Sequence, residues 1–355
     1  MDVIEMLREG VKQNVSDIIF SVGAPPVFRI QGKLQHYGKE PLVPEVTKKL
    51  VYSILSDEQK AHYEELNELD LSISLKGIGR FRVNVYKQKS HVGAAFRTIM
   101  ERIPSLEELN MPKTVGTFTE YPNGLVLVTG PTGSGKSTTL ASMIDLINTR
   151  TSCHIVTVED PIEFVHEHKS CIIDQRQLGR DTQTYSNALK YVLRQDPDVI
   201  LVGEMRDLET ITATITLAET GHLVFSTLHT QSAAQTIDRI VDVFPPYQQE
   251  QIRTQLSLTL KAVVSQQLLP KARGTGRVAA REIMVMNSAI SNLIREGKTY
   301  MIPNCLQTGK REGMITMEES ILDLLRHGDI SPETAMSKVP DKVKIQKATT
   351  GQGAF

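Results

Sequence analysis

A glycine-rich stretch sets a lysine and a serine side by side in a pattern that binds phosphate. Gly130, Gly135, Lys136 and Ser137 match G-x-x-x-x-G-K-[ST] within the run GPTGSGKST. Glycines let the main-chain N–H groups face a polyphosphate, and a following helix adds partial positive charge at its N-terminus. In this pattern the lysine reaches the β- and γ-phosphates, and the serine hydroxyl is a ligand of Mg²⁺. We therefore predict a nucleotide site.

The residues around this loop fit the prediction. An apolar β-type run, Leu125–Thr129, precedes the loop, and a segment with helical spacing of apolar residues, Lys136–Asn148, follows it. Strand, glycine loop and helix are the context that the pattern requires. The predicted ligands are ATP and Mg²⁺, and the predicted phosphate-binding residues are Thr132, Gly133, Ser134, Gly135, Lys136, Ser137 and Thr138.

Carboxylates follow two other apolar β-type runs, at the strand ends where open parallel sheets bind ligands. Glu204 ends the run VILVG, and one carboxylate is enough for an Mg²⁺ ion that keeps most of its water. We predict that Ser137 and Glu204 hold Mg²⁺, partly through water. A second acidic cluster could supply the base that activates the attacking water, or could be a solvated acidic turn; its members are Glu159, Asp160 and Glu163.

Two groups of histidines differ in what they predict. His166 and His168 lack the H-E-x-x-H spacing of a zinc site, so the sequence favours a surface turn there. His229 follows the β-type run Leu223–Thr227, whose end should lie at the nucleotide. A histidine at that place can hydrogen-bond a γ-phosphate, although a structural histidine is an equally good interpretation.

Composition narrows the function classes. The 355 residues include 40 Lys and Arg against 41 Asp and Glu, with 9 Phe, 9 Tyr and no Trp. Proteins that bind nucleic-acid strands have a basic stripe and aromatic side chains that stack on bases. The balanced charge and the few aromatic residues do not fit this pattern, so we expect no nucleic-acid partner. The three cysteines form no C-x-x-C pair, the N-terminus is too charged for a signal peptide, and no apolar run reaches about 18 residues. We expect a cytoplasmic protein.

The chain is long enough for two domains. Residues 1–100 predict a small α+β domain, with a helix over Val3–Gln13, β-type runs over Asp17–Val22 and Val27–Tyr37, a helical stretch over Pro44–Asn67 and a hairpin. The outer face of that hairpin carries Arg80 and Arg82, and a third strand ends near Arg97.

Residues 101–115 predict a linker in which Ser105 and Glu108 have capping-box spacing for one short helix. From residue 116 to residue 355 the pattern alternates between strand and helix, which predicts a parallel sheet covered on both faces. A helix is predicted over Gln248–Leu268, a last strand over Val278–Val285, and shorter helices beyond it.

Four motifs in close order resemble one family. The phosphate loop GPTGSGKST and the stretches VEDPIEF, VILVGEMRD and GHLVFSTLHT look like the Walker A, Asp, Walker B and His boxes of the secretion ATPases of type IV pili and type II secretion. The resemblance implies a hexameric ring. It implies for each protomer an N-terminal PAS-like α+β domain, then a RecA-like P-loop domain with a parallel sheet and a helical C-terminal tail.

The resemblance also implies roles for single residues. Glu163 would be the acid that activates water, Glu204 the Walker B glutamate, and Arg82 and Arg97 the arginines that the N-terminal domain turns toward the phosphates. His229 would belong to the His box together with His222, whose separate role the pattern leaves open. The family pattern leaves Arg80 without a defined role.

The tail indicates a branch of the family. The run AISNLIRE over Ala289–Glu296 is similar to the motif AIRNLIRE of the pilus retraction ATPases, with Ser291 in place of arginine. We also expect no four-cysteine zinc motif and no long N-terminal extension, which are typical of the extension and type II secretion branches. The resemblance predicts an ATPase motor of pilus retraction and twitching motility at the inner face of the inner membrane. Its membrane contact would run only through partners, chiefly the inner-membrane platform protein of the pilus.

Three alternatives stay open at this point. The chain could be an accessory retraction ATPase or an extension ATPase of the same family. It could be a RecA-like nucleic-acid translocase, which the balanced charge disfavours. It could also be a scaffold that binds ATP with negligible turnover, which the acids Glu163 and Glu204 disfavour.

Overall fold

The computed structural model describes residues 2–30, 32–99, 102–274 and 276–349. The chain divides into two compact units. The first comprises Met1–Arg102 with Pro161–Val165, and the second comprises Ile103–Asp160 with His166–Phe355. The limits 1–100, 101–115 and 116–355, drawn from the sequence for two domains and a linker, stay a prediction.

The first unit is an antiparallel sheet with helices packed against it. Its described helices are α1 (Val3–Lys12), α2 (Pro44–Tyr52) and α3 (Asp57–Leu66). Its described strands are β1 (Asp17–Phe20), β2 (Val27–Ile30), β3 (Lys33–His36), β4 (Glu68–Leu75), β5 (Gly79–Gln88) and β6 (His91–Ile99). The strand order is β3-β2-β1-β6-β5-β4. Alternation along β5 buries Phe81, Val83 and Val85 and leaves Arg80 and Arg82 on the other face, as the hairpin prediction requires.

Two predicted segments of this unit are each divided in the structure. The helical stretch over Pro44–Asn67 is two helices, because Ser56 and Gln59 form a capping box that begins α3. The β-type run Val27–Tyr37 is a hairpin of β2 and β3 rather than one strand. In both cases a local turn interrupts a pattern of apolar residues that continues on either side.

The second unit is a largely parallel sheet between helices. Its described helices are α4 (Lys113–Thr117), α5 (Lys136–Arg150), α6 (Tyr185–Val192), α7 (Leu208–Glu219), α8 (Ala233–Asp242), α9 (Pro246–Thr259), α10 (Ser288–Arg295), α11 (Ile302–Thr308), α12 (Met317–Arg326), α13 (Pro332–Met336) and α14 (Lys342–Thr349). Short 3₁₀ turns cover Phe118–Glu120, Leu193–Gln195, Thr299–Met301 and Gly309–Glu312. The strands are β7 (Gly124–Thr129), β8 (His154–Glu159), β9 (Ile172–Gln177), β10 (Val199–Val202), β11 (Leu223–Leu228), β12 (Leu260–Pro270) and β13 (Arg277–Val285).

The strand order of this second sheet is β13-β12-β7-β11-β10-β8-β9. All neighbours are parallel except β12 and β13, which form an antiparallel pair. Every residue of β7, β10 and β11 is buried, which explains why these strands are continuous apolar runs in the sequence. The carboxyl ends of six parallel strands, β7 to β12, therefore lie at one edge of the sheet.

The prediction of a helix over Gln248–Leu268 is wrong in its second half. Helix α9 ends at Thr259, and the chain continues as strand β12, which pairs with β7 on one side and β13 on the other. The β-branched Val263 and Val264 are fully buried in this strand. Pairing with a central strand outweighs the helical spacing of the apolar residues.

The predicted capping box of the linker forms, but it closes a turn rather than a helix. The N–H of Ser105 donates to Glu108 Oε2 at 2.9 Å, and the N–H of Glu108 donates to Ser105 Oγ at 3.1 Å. The guanidinium of Arg281 in β13 donates to the carbonyls of Leu109 and Asn110, and these contacts hold the turn against the sheet of its own unit. Burial lowers the pKa of Arg281 to about 10, so the side chain stays charged at neutral pH.

The end of the described chain is helical. Helix α14 occupies the first part of residues 342–355, for which the polar composition predicts a frayed end, and residues 350–355 lie outside the described residues. None of the helices in the described ranges combines the length and the apolar character that crossing a membrane requires.

The prediction of a surface turn is wrong for His166. The residue is 8% exposed, and its ring Nδ1 has no hydrogen-bond partner among the described residues. Its main-chain N–H donates to Gln175 Oε1 at 2.8 Å. Burial lowers the pKa of this imidazole from its ordinary value of 6.5 to about 4. The sequence gives no sign of this, because the residue lies in a polar stretch.

We predict that His166 makes folding sensitive to acid. Between pH 6.5 and 4 the unfolded chain binds a proton that the folded chain does not, so stability falls as the pH falls. The free energy of unfolding should drop by about 3 kcal/mol over this window. Denaturant titrations of the wild type and of His166→Gln at several pH values measure this component, which the variant should lack. Substitution of the exposed His62 by Gln serves as the control and should keep the wild-type pH dependence.

Candidate functional site

The phosphate loop lies between β7 and α5, as the sequence predicts. Gly130 and Gly135 have φ angles of 144° and 90°, in the left-handed region that favours glycine. A Cβ on Gly130 would lie 2.2 Å from the carbonyl oxygen of Gln266, which is closer than any side chain permits. The loop therefore needs glycine at this position both for its backbone conformation and for its packing.

The loop gathers positive charge and hydrogen-bond donors. Lys136 is 9% exposed, and its Nζ donates to the carbonyls of Gly130 at 2.8 Å and Pro131 at 3.3 Å. Helix α5 begins after Gly135 with no side chain of the described residues capping its first N–H groups. The hydroxyl of Ser134 is buried without a hydrogen-bond partner in the described chain. This donor set fits a polyphosphate.

Other predicted contact residues lie toward the open side of the loop. Thr132 and Gly133 are exposed, and Ser137 and Thr138 are half-buried in the first turn of α5. The guanidinium of Arg277 donates to the carbonyl of Gly133 at 3.3 Å. The loop and the first turn of α5 thus present the predicted residues together.

Gln266 braces the loop, and the sequence analysis missed it. This residue lies in β12 and is buried; its Nε2 donates to the carbonyl of Ser134 at 2.8 Å, and its Oε1 accepts from Thr139 Oγ1 at 3.1 Å. In the same strand the hydroxyl of Ser265 shares a 2.8 Å hydrogen bond with that of Thr129. Three adjacent polar residues interrupt an apolar run there, which signals a polar role, but the helical spacing of the apolar residues predicts a helix.

Glu204 and His229 come together at the carboxyl ends of β10 and β11. The side chain of Glu204 is almost buried, and its Oε2 lies 3.3 Å from His229 Nε2. Its Oε1 forms an ion pair with Arg206, and this hydrogen bond raises the pKa of the arginine. Arg206 is a contact that the sequence analysis did not identify.

The donors at this edge fit Mg²⁺ only together with other oxygens. The described residues contain no cluster of three or more His, Cys, Asp or Glu side chains that could hold a metal alone. The hydroxyl of Ser137 and the carboxylate of Glu204 are oxygen ligands of the kind that Mg²⁺ prefers, with water and phosphate oxygens completing its shell. Both Glu204 oxygens already have protein partners, which favours a contact through water.

The second acidic cluster is divided between the units. Glu159 Oε1 accepts from Thr157 Oγ1 at 2.7 Å and from Gln175 Nε2 at 3.1 Å, so this carboxylate is tied to the sheet. Glu163 is half-buried and lies in Pro161–Val165, which groups with the first unit. Asp160 ends the neighbouring segment of the second unit.

Tyr185, at the beginning of α6, is a second residue that the sequence analysis missed. Its hydroxyl is enclosed without a hydrogen-bond partner in the described residues and would lie 2.8 Å from a Cβ on Gly203. Burial, followed by the carboxylates of Asp160, Glu204 and Glu159, raises the pKa of this phenol. Tyr185 therefore stays protonated and offers a donor beside the acidic edge.

The candidate arginines of the first unit lie opposite each other. Arg82 in β5 and Arg97 in β6 are directly paired residues of the antiparallel sheet. Arg97 Nε donates to Asp17 Oδ1 at 3.0 Å, and Arg29 Nε lies 3.3 Å from the other oxygen of Asp17. Arg80 Nη2 donates to Ser72 Oγ at 3.2 Å within the hairpin.

His222 lies at the other end of its strand, and α10 packs against α9. His222 precedes β11, so the full length of that strand separates it from His229, and its Nδ1 contacts the carbonyl of Leu217 at 3.0 Å. In α10, Ile290 and Ile294 are buried, whereas Arg295 and the following residue, Glu296, are exposed. The hydroxyl of Ser291 donates to the carbonyl of Ser257 at 3.1 Å, so this departure from the motif packs against α9.

Comparison with known proteins gives consistent results. The model of the family described as Type II/IV secretion system protein matches residues 5–336. The chain is 50% identical over 338 residues to the type IV pilus retraction ATPase PilT of Pseudomonas aeruginosa, covering 95% of this chain and 98% of that protein. It is 39% identical to the type IV pilus ATPase PilU of the same organism, over 95% of this chain and 88% of that one.

A solved structure extends the agreement to the fold. The crystal structure of the pilus retraction motor PilT with bound ADP superimposes with a TM-score of 0.90 at 46% identity, covering 98% of this chain and 99% of that one. The predicted fold class, an N-terminal α+β domain followed by a RecA-like domain with a parallel sheet, is confirmed, and the sheet of the N-terminal domain is antiparallel. Since the family model spans nearly the whole chain, this protein belongs to the type II/IV secretion system protein family.

Proposed function

We propose that this protein is the Mg²⁺-dependent ATPase motor that powers type IV pilus retraction. The observation that carries the proposal is the phosphate loop with Lys136, set at the same sheet edge as Glu204 and His229. The extent of the similarity to PilT, at 50% identity over nearly all of both chains, supports the retraction assignment.

The loop and its neighbours would bind ATP and assist transfer of its terminal phosphoryl group to water. Loop N–H groups and Lys136 bind the phosphates and stabilise the charge that develops in the transition state. Bound Mg²⁺, held by Ser137 and, through water, by Glu204, would neutralise phosphate charge. Glu163 would accept a proton from the attacking water, and His229 would hydrogen-bond the γ-phosphate.

Arginines would supply further positive charge to the phosphates. The family resemblance assigns this role to Arg82 and Arg97, which the sheet of the first unit sets opposite each other. To contact a phosphate, the Arg97 side chain would have to break its hydrogen bond with Asp17, which its exposed position on β6 permits. Guanidinium groups suit this role because they are planar, permanently charged and able to donate two parallel hydrogen bonds to phosphate oxygens.

We propose that the motor is a homohexamer at the cytoplasmic face of the inner membrane. Its partner would be the inner-membrane platform protein of the pilus, and its membrane contact would run only through partners. The family resemblance and the exposed residues at the end of α10, Asn292, Arg295 and the adjacent Glu296, support a docking role for the tail.

An accessory retraction ATPase is the second candidate. The identity to PilT, 50%, exceeds the identity to PilU, 39%, over the same share of this chain, so the main retraction motor is favoured. A nucleic-acid translocase is disfavoured by the net charge of −1.

Replacement of the loop lysine tests the enzymatic part. We predict that Lys136→Ala abolishes ATP hydrolysis, because it removes the cation nearest the transferred phosphoryl group, while nucleotide binding by loop N–H groups survives better. Phosphate release and equilibrium binding of ATP measure the two effects. The control is the exposed Lys113→Ala, which should keep wild-type turnover; full turnover in Lys136→Ala would contradict the loop assignment.

Substitutions of Glu204 and Glu163 should lower ATP turnover in ways that differ in their response to Mg²⁺. Glu204→Gln weakens the metal site, so raising the Mg²⁺ concentration should restore part of the activity. Glu163→Gln removes a proton acceptor, which should cost about 10²–10⁴-fold in turnover that Mg²⁺ does not restore. Turnover is measured over a series of Mg²⁺ concentrations, with the exposed Glu250→Gln as the control. An identical Mg²⁺ response in both variants would show that the assigned roles are wrong.

The tail variant tests retraction. We predict that Arg295→Ala with Glu296→Ala keeps thermal stability, ring assembly and ATP turnover, because both side chains are exposed. Cells of a deletion strain that carry the variant should nevertheless be hyperpiliated and unable to move on surfaces. The comparison variant Ile294→Ala removes a buried side chain and should cost about 2–5 kcal/mol of stability. If the double variant loses its fold or its turnover together with motility, α10 is structural.

A further inference from the structure

Strand β13 carries a buried carboxylate that the site described above does not use. Glu282 is 8% exposed, and it is followed in the strand by the fully buried Ile283 and Met284. A charged group in such surroundings needs hydrogen-bond partners that replace water. Burial raises the pKa of Glu282, and the main-chain N–H groups of Ala233 and Met317 act in the opposite direction.

These two N–H groups belong to different helices. Ala233 is the first residue of α8, and its N–H donates to Glu282 Oε1 at 2.8 Å. Met317 is the first residue of α12. The first N–H groups of a helix lack partners within the helix and carry its partial positive charge, so a single carboxylate stabilises the beginnings of both helices.

The beginning of α8 holds the segment that contains His229. Residues 229–232 connect β11 to α8, and several of their contacts are made to the first turn of that helix. The hydroxyl of Thr230 lies 2.7 Å from that of Thr236, and the N–H of Gln231 donates to Gln235 Oε1 at 3.3 Å. A shift of α8 would therefore carry His229 with it, and its 3.3 Å contact to Glu204 would change.

The beginning of α12 provides the fixed side of this arrangement. Ile283 and Ile315 exchange two main-chain hydrogen bonds, at 2.9 and 3.2 Å, which tie β13 to the residues before α12. Ser320 in α12 accepts from the N–H of Arg281 in β13 at 2.9 Å. Helix α12 is thus bonded directly to β13, whereas Ala233 is the contact between Glu282 and the histidine segment.

We propose that Glu282 is a positioning residue for ATP hydrolysis, holding the beginning of α8 so that His229 stays in register with Glu204. The inference rests on the proposed function, because it assigns the effect of Glu282 to the hydrolysis that those two residues serve. The same carboxylate also joins the histidine segment to the beginning of α12.

A double-mutant cycle on the assembled protein tests the inference. Steady-state phosphate release gives kcat and KM for wild type, Glu282→Gln, His229→Ala and the double variant. We expect Glu282→Gln to lower kcat by about tenfold with KM within about twofold, since positioning acts on turnover rather than on loop binding. The double variant should be no slower than His229→Ala alone. Additive losses, or a full kcat in either single variant, would overturn the role of Glu282.

Two further variants separate positioning from stability. Glu282→Asp keeps the charge but shortens the side chain, and it should lie between wild type and Glu282→Gln in kcat. If neither Glu282 variant folds, the residue is structural and the inference fails. Asn287→Ala is the control for stability, because Asn287 Oδ1 accepts from the N–H of Ile290 at 3.0 Å and so caps α10. This variant should lower the melting temperature while kcat stays within about twofold of the wild-type value.

The outcome for Glu282 can be told apart from the outcome for the proposed function. If hydrolysis depends on Lys136 but the losses in the double-mutant cycle are additive, only the role of Glu282 is refuted. If the wild type shows no hydrolysis that depends on Lys136, both the proposed function and the inference are refuted.

Discussion

Parallel pairing of β7, β10 and β11 is the constraint that brings the phosphate loop, Glu204 and His229 to one edge of the sheet. Leu228 at the end of β11 pairs with Thr129 at the end of β7, and Val202 at the end of β10 pairs with Ser226. Because these strands run in one direction, the segments that follow them leave the sheet on the same side. The phosphate loop, the Glu204 segment and the His229 segment are neighbours for this reason, although they lie far apart in the chain.

Buried polar groups determine how this edge is held. Lys136, Glu204, Gln266 and Glu282 are all at most 9% exposed, and each has hydrogen-bond partners that replace water. Such groups destabilise a protein if one partner is removed, so each of them fixes the geometry of the segment that it contacts. These hydrogen bonds therefore favour the arrangement of the edge in which all four side chains have partners.

The sequence predicted the residues at this edge better than it predicted the buried residues that hold them in place. Apolar runs revealed the strands before Gly130, Glu204 and His229, because strands buried on both faces are largely apolar. Strand β12 was missed because its apolar residues also fit helical spacing, and Gln266 was missed with it. Tyr185 and Glu282 were beyond prediction, since their roles depend on contacts with residues far away in the chain. The burial of His166 arises in the same way.

The close approach of Gly130 to strand β12 limits how this protein can evolve. A side chain at position 130 would collide with the carbonyl oxygen of Gln266, a main-chain atom that a change of residue type at position 266 cannot remove. A different side chain at position 266 therefore cannot compensate for a side chain at position 130, because the backbone of β12 itself would have to shift. Sequence variation in this loop is thus restricted to changes that keep glycine at position 130.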